Sequence, residues 1–421
     1  MNYYKHILIF IVAMLICSCN KQKTYTQEEL YEKVSSGVLL VKTNYTQKIT
    51  ISNGNDNYDY NFIIKDGGIK FYESWENINI SEITTTSYGT GFLISSNGIV
   101  VTNSHVITPK AENGDLIYQC LMSYINDKII HGFQDIDLYN RQKDAILEQG
   151  AYDNPIFDSK ALMDVNEILT LLPKTIERYQ AQMKCKEYRI TPNVQEINVA
   201  YNNSNIYNPQ SWVYCSELVN NSSYDLAIIR MHEFTKKDIE DEMMKYEKSE
   251  DSNTRFFAKN YAWSNLITNE DFKVYKGWKI VPESKYIFTI SEITPKIEEE
   301  VRLYMIGYNQ GPILANTDTG IKAQITQGNI SQNTDDIKIM YSIPALQGSS
   351  GSPVLNQYGE LVAINFAGLS NTQNFNYGIK VEKLKELIGD TRVKHLIINH
   401  NNNLNEKEDT AIVEAIDVIE N

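Results

Sequence analysis

Gly348-Ser349-Ser350-Gly351-Ser352-Pro353 decides how this 421-residue chain reads. Apolar, β-branched sequence lies on both sides of it. Residues 337–343 (Ile-Lys-Ile-Met-Tyr-Ser-Ile) come before it, and Val354-Leu355 follow. After a turn at Asn356-Gln357-Tyr358-Gly359 comes the run Leu361-Val362-Ala363-Ile364-Asn365-Phe366. Runs of this kind, bounded by turn residues, read as strands. A glycine-rich hexapeptide between buried strands is a tight turn, since flexible Gly/Ser linkers are not normally wedged between β-branched segments. Such a turn can present one serine hydroxyl while its backbone N–H groups point into a common space. Tetrahedral acyl transfer needs that pairing of a nucleophile with fixed donors for the developing oxyanion.

The hexapeptide resembles the Gly-x-Ser-Gly-[Gly/Ser]-Pro signature of trypsin-like, chymotrypsin-fold serine proteases. The resemblance implies that Ser350 is the nucleophile and that the N–H groups of Gly348 and Ser350 form the oxyanion hole. The Ser-Gly-Ser-Pro-Val form is similar to that of bacterial glutamyl endopeptidases and Deg/Htr-type proteases. The fold implied is an all-β core of two six-stranded antiparallel β-barrels, carrying helical insertions. A histidine and an aspartate are then required upstream, each at the edge of a strand.

Both are present. Residues 89–106 run Gly-Thr-Gly-Phe-Leu-Ile-Ser-Ser-Asn-Gly-Ile-Val-Val-Thr-Asn-Ser-His-Val. Asn97-Gly98 between apolar runs is a hairpin signal, and His105 follows the second strand where the chain turns. The run resembles the Gly-[Thr/Ser]-Gly-Phe…Thr-Asn-x-His-Val segment of the same family, which implies that His105 is the general base. His131, His232, His395 and His400 have no such setting. Residues 221–230 (Asn-Ser-Ser-Tyr-Asp-Leu-Ala-Ile-Ile-Arg) form a polar loop that feeds a buried strand, with Asp225 at the entrance. A carboxylate there can accept the imidazole N–H and fix its tautomer; a plain strand-entry aspartate would instead bind local backbone. The order His, Asp, Ser matches chymotrypsin-fold enzymes and neither subtilisins nor α/β-hydrolases.

The remaining sequence is organised around these motifs. A short amphipathic helix is expected at 27–34 and a first strand at 38–41, then β structure through 49–83. The interval from about 110 to 220 is longer than a barrel connection needs. It is expected to hold a surface insertion, helical at 144–148 and at 165–188 with a break at Pro173, before barrel strands at 197–201 and 212–218. A second insertion is expected at about 233–300, beginning with a charged helical face. Residues 301–308, 320–331 and 377–381 read as strands of the second barrel, and 383–388 as a final helix. The protease domain is expected to occupy 19–390, followed by a polar, acidic tail at 391–421.

Residues 1–18 read as an export signal. Lys5 and His6 precede the apolar run 7–16, which is too short to span a bilayer. Ile16-Cys17-Ser18-Cys19 resembles the bacterial lipoprotein box, which implies acylation of Cys19 and a membrane partner through that anchor. Cys120, Cys185 and Cys215 remain, allowing at most one internal disulfide, which sequence does not assign. The net charge of −14 argues against nucleic acid as a partner. No Cys/His cluster has metal-ligand spacing and no phosphate-binding glycine motif occurs, so no cofactor is expected. The partner class is a protein or peptide substrate.

The resemblance also bears on specificity and activation. Pro344, six residues before the nucleophile, corresponds to the base of the specificity pocket and offers no carboxylate for Lys or Arg. Asn365-Phe366-Ala367 stand where glutamyl endopeptidases carry a histidine. A small or apolar residue before the scissile bond is the resulting expectation. Ser349 stands where digestive relatives have an aspartate that pairs with an ammonium freed by precursor cleavage. A serine cannot make that pair, so the loop is expected to be ordered by neutral contacts of the Ser349 hydroxyl, and the protein to need no maturation beyond signal removal. A binding scaffold on the same fold, or an esterase using the same residues, are the other classes that the sequence leaves open.

Overall fold

The computed structural model describes residues 23–73, 78–111, 113–150, 155–232, 279, 281–291, 293, 295, 301–333, 335–368 and 375–397. The export segment with Cys19, most of the second insertion and the tail beyond 397 lie outside the described residues.

Helix α1 (Gln27–Val34) opens with a capping box at Thr26. The Thr26 hydroxyl accepts the Glu29 N–H at 3.2 Å, and the Glu29 carboxylate accepts the Thr26 N–H at 2.9 Å. Two orphan donors of the first turn are thereby satisfied. Leu30 and Val34, one turn apart, are fully buried. The chain continues through β1 (Val38–Ser52), β2 (Asn57–Lys65), β3 (Gly68–Glu73), the single turn α2 (Ile80–Ile83), β4 (Thr85–Leu93), β5 (Ile99–Thr102) and α3 (Ser104–Ile107). Two long helices follow, α4 (Gly114–Gly150) and α5 (Pro155–Gln182), then β6 (Glu187–Tyr201), β7 (Val213–Asn221) and β8 (Leu226–Met231). After the second insertion come β9 (Arg302–Gly307), α6 (Pro312–Ala315), β10 (Asn316–Thr317), β11 (Gly320–Ile321), β12 (Gln324–Gln332), β13 (Lys338–Tyr341), β14 (Pro353–Asn356), β15 (Leu361–Gly368), β16 (Asn376–Lys380) and α7 (Val381–Gly389).

These elements fall into two compact units, one of residues 1–43, 87–107 and 196–421 and the other of 44–86 and 108–195. The strands close two six-stranded antiparallel barrels. One has the order β1-β4-β5-β8-β7-β6, completed by a β1–β6 pairing, and the other the order β12-β13-β16-β15-β14-β9. β5 and β8 are buried at every residue, which is why their sequences are unbroken apolar runs and do not alternate. Phe92, Val101 and Ile228 of the first barrel share one apolar core with Tyr304, Ile306, Tyr308 and Ile364 of the second.

In the second unit, β2 pairs with residues 47–52 of β1 and turns at Asp66-Gly67 into β3. Both turn residues have positive φ (52° and 77°), as a tight hairpin turn requires. Ile49, Ile51, Tyr60, Phe62 and Phe71 of this sheet pack with Ile117, Leu121, Ile125 and Tyr179 of α4 and α5.

Two sequence expectations are corrected here. α5 runs through Pro173 without a break, because Pro173 is exposed and the lost helical hydrogen bond can be replaced by water. The expected helix to 188 ends at Gln182, and Tyr188 and Ile190 join the apolar core with the period of a strand, as part of β6. The helical part of the first insertion is therefore 114–182. Cys120, Cys185 and Cys215 are free thiols, with no bridge among them.

His232 shows what a structural histidine looks like in this fold. It is buried, Nε2 lies 2.8 Å from the Ser216 hydroxyl, and burial, with a contribution from the Arg230 guanidinium, pushes its pKa down to about 3. The unfolded chain, with an ordinary histidine near about 6.5, binds the proton more readily, so stability falls as pH drops below that value. Acidification from pH 6.5 to 5 is expected to cost up to about 2 kcal/mol through this group. Denaturant titrations at the two pH values measure it, and His232→Gln should flatten the dependence.

Candidate active site

The register between β5 and β8 creates the first half of the site. Thr102 pairs with Ala227, so the residues just after β5 meet those just before β8. His105 lies in α3 and Asp225 immediately precedes β8. Asp225 Oδ2 accepts from His105 Nδ1 at 2.7 Å, and Oδ1 accepts the His105 backbone N–H at 3.0 Å. One carboxylate thus holds both the ring and the main chain of the same residue. With Nδ1–H committed to the carboxylate, Nε2 keeps its lone pair. The His105 side chain is 40% exposed, so that nitrogen can be reached from solvent.

Local sequence shapes this arrangement. The Asn221 side-chain oxygen accepts the N–H groups of Ser223 (3.0 Å) and Tyr224 (2.9 Å), winding the loop before Asp225. Asp225 itself has φ +52°, a left-handed conformation that aspartate tolerates better than most residues. Buried Asn103 donates from Nδ2 to the Asp225 carbonyl at 2.8 Å and secures the strained peptide.

The second half is the loop containing Ser350. Gly348 and Gly351 have φ of +94° and +88°. A Cβ on Gly348 would lie 2.5 Å from the Tyr308 carbonyl oxygen, and one on Gly351 would lie 2.0 Å from that of Thr90. Only glycine fits either place. Every polar group of Thr90 in β4 is bonded, and two of its four hydrogen bonds hold the loop. Its N–H donates to the Ser350 carbonyl (2.8 Å) and its hydroxyl to the Gly348 carbonyl (2.8 Å). That hydroxyl accepts the Tyr308 N–H (2.9 Å), and the Thr90 carbonyl accepts the Thr102 hydroxyl (2.7 Å). The carbonyls of Gly348 and Ser350 are thereby turned inward. Their N–H groups have no partner among the described residues and are available as a pair of donors. The Ser350 hydroxyl is 3.5 Å from the Phe366 carbonyl, its acceptor in this conformation, and is not bonded to His105.

Ser349 lies in a neutral network. Its hydroxyl donates to the Leu346 carbonyl at 2.6 Å. Asn365 Nδ2 donates to both the carbonyl and the hydroxyl of Ser349 at 3.1 Å, and the buried Tyr341 hydroxyl donates to Asn365 Oδ1 at 2.8 Å. The Asn365 backbone completes the clamp, donating to the Ser352 carbonyl (2.9 Å) and accepting the Gly351 N–H (2.8 Å). Among the residues singled out for substrate contact, Asn365 is therefore buried and supports the loop from behind. Pro344 is exposed, with its carbonyl accepting the Thr326 hydroxyl at 3.2 Å. Phe366 is half-buried, with the Lys338 ammonium 5.1 Å from its ring centre, and Ala367 pairs with Tyr377 in the ladder between β15 and β16. Sequence reasoning missed Thr90 and Tyr341; the glycines on both sides of Thr90 were the available signal. Among the described residues no group of three His, Cys, Asp or Glu side chains converges as a metal site.

Residues 191–364 match the family model of the trypsin-like peptidase domain. That stretch, less than half of the chain, is similar to a trypsin-like peptidase domain. The match takes in Asp225 and Ser350, while His105 lies before it. No curated protein sequence matches the chain. Among solved structures, it is similar to a serine endoprotease from Yersinia pestis (13% identity, TM-score 0.37, covering 87% of this chain and 68% of that one). A protease from M. tuberculosis in its active form is similar too, at 8% identity and TM-score 0.37, with 86% and 84% covered. So is an HtrA-type protease solved with a decapeptide, at 11% identity and TM-score 0.39, with 87% and 66% covered.

Asn365 is buried behind the Ser350 loop and bonds both polar groups of Ser349. Asn365→Ala is expected to lower kcat by up to about 10²-fold through misplacement of the loop, with KM changing far less. Asn365→Asp, which keeps the shape but loses the donor to Ser349, should not rescue it. Steady-state kinetics of the two variants check this.

Proposed function

We propose that this protein is a serine endopeptidase in which Ser350, His105 and Asp225 act as a triad, tethered to the bacterial envelope by a lipid on Cys19. The observation that carries the reading is the pair of hydrogen bonds that the ring and backbone of His105 donate to one carboxylate, that of Asp225. It holds the imidazole in the tautomer a general base needs.

The mechanism follows from the residues. In this mechanism the Ser350 hydroxyl leaves the Phe366 carbonyl and donates to His105 Nε2. As Ser350 Oγ attacks the peptide carbonyl carbon, its proton passes to Nε2, and Asp225 stabilises the imidazolium that forms. The carbonyl oxygen becomes an oxyanion and takes the N–H groups of Gly348 and Ser350. His105 then protonates the leaving amine, the C–N bond breaks, and water activated by the same nitrogen hydrolyses the acyl-enzyme. Pro344 puts no carboxylate at the pocket base, which favours small or apolar residues before the scissile bond.

A fluorophosphonate probe should label the wild type and not Ser350→Ala. Ser350→Ala should lower kcat by about 10⁶, and Asp225→Asn by about 10⁴ through the wrong tautomer. Labelling that persists in Ser350→Ala removes that residue from the mechanism. Absence of labelling in the wild type favours the scaffold reading, and cleavage of esters without peptides favours the esterase. Detergent-phase partitioning that disappears in Cys19→Ala tests the anchor.

A further inference from the structure

The Ser350 loop has a different neighbour on each side, and this allows the two halves of a bound peptide to be assigned. On one side lies β15 of the second barrel. It pairs with β16 through Ala367 and Gly368, while its ladder with β14 extends only to Ile364 opposite Pro353. Among the described residues no strand pairs with its other edge beyond Asn365, and an extended chain can add there. On the other side lies β4 of the first barrel, bonded to Ser350 through Thr90. His105 belongs to this first barrel too, since α3 follows β5, the partner of β4. The leaving amine must receive its proton from His105. It therefore departs toward β4, and the acyl half lies along β15.

The surface on the β4 side is apolar and exposed. The turn after β9 reaches Gly311, whose backbone nitrogen would lie 2.6 Å from a Cβ on Gly348. Gly311 in turn packs on the Cβ of Tyr88, two residues before Thr90. Gln310 and Gly311 both have positive φ (56° and 51°). α6 follows them, with Ile313 80% and Leu314 55% exposed. Tyr207, 77% exposed, lies beside α6, its hydroxyl accepting from Asn316 at 3.2 Å. Large apolar side chains displayed beside a reaction centre mark a binding surface more often than chance.

We infer that Ile313 and Leu314, with Tyr88 and Tyr207, form a subsite for a bulky apolar residue in the first two positions after the scissile bond. This deepens the proposed endopeptidase reading and rests on it. The occupant is the leaving half of the substrate, so the enzyme selects on both sides of the bond.

The test uses internally quenched peptides with mixed small and apolar residues before the bond and either Leu-Phe or Ser-Gly after it. The Leu-Phe series is expected to have kcat/KM at least about tenfold higher, the usual return from filling an apolar pocket. Ile313→Ser combined with Leu314→Ser, at exposed positions that leave the core untouched, should bring that ratio close to one. An active wild type without the preference overturns the inference and leaves the triad standing. So does a double variant that slows both series equally with the ratio intact. A wild type that neither labels with the fluorophosphonate nor cleaves any peptide refutes the parent reading, and this one with it.

Discussion

The four hydrogen bonds of Thr90 are the constraint on which the site depends. This residue of the first barrel is fully buried and spends its N–H, its carbonyl and both roles of its hydroxyl on Ser350, Thr102, Gly348 and Tyr308. Unmet groups in such a place would cost about 1–3 kcal/mol each. The same bonds turn two loop carbonyls away from the reaction space and so leave two N–H groups facing it. Bond satisfaction in the core and availability of donors at the surface are one arrangement seen from two sides.

His105 and Asp225 are joined by a different device. They are 120 residues apart in sequence, and the register of β5 against β8, with the loop before Asp225 wound by Asn221, brings them together. The register runs from Ile99 opposite Arg230 to Thr102 opposite Ala227. A long helical insertion lies between the two residues in sequence. Loop-closure cost rises only logarithmically with length, so such an insertion is tolerated.

The loop is ordered without a charge pair. Tyr341, Asn365, Ser349 and Leu346 form a continuous neutral chain of bonds. Burial raises the Tyr341 phenol well above its ordinary range, so it stays protonated and remains a donor. A network of this kind is in place once the barrel has folded.

From the sequence, the resemblance of three motifs to trypsin-like proteases implied the two-barrel fold and pointed to His105, Asp225 and Ser350. Those motifs are local: a glycine-rich turn and polar residues at strand ends, set in apolar runs. The sequence did not reveal Thr90 or Tyr341, and it assigned Asn365 to the substrate pocket. It also broke a helix at Pro173 and left a cysteine bridge open. Each of these turns on contacts between distant segments. The amide of Asn365 faces the serine loop only because β15 pairs with β14 and β16 in one register, and Thr90 meets Gly348 across 258 residues of chain. Only the tertiary structure decides which atom of a buried polar side chain finds which partner, because that choice depends on how the strands of both barrels close around it.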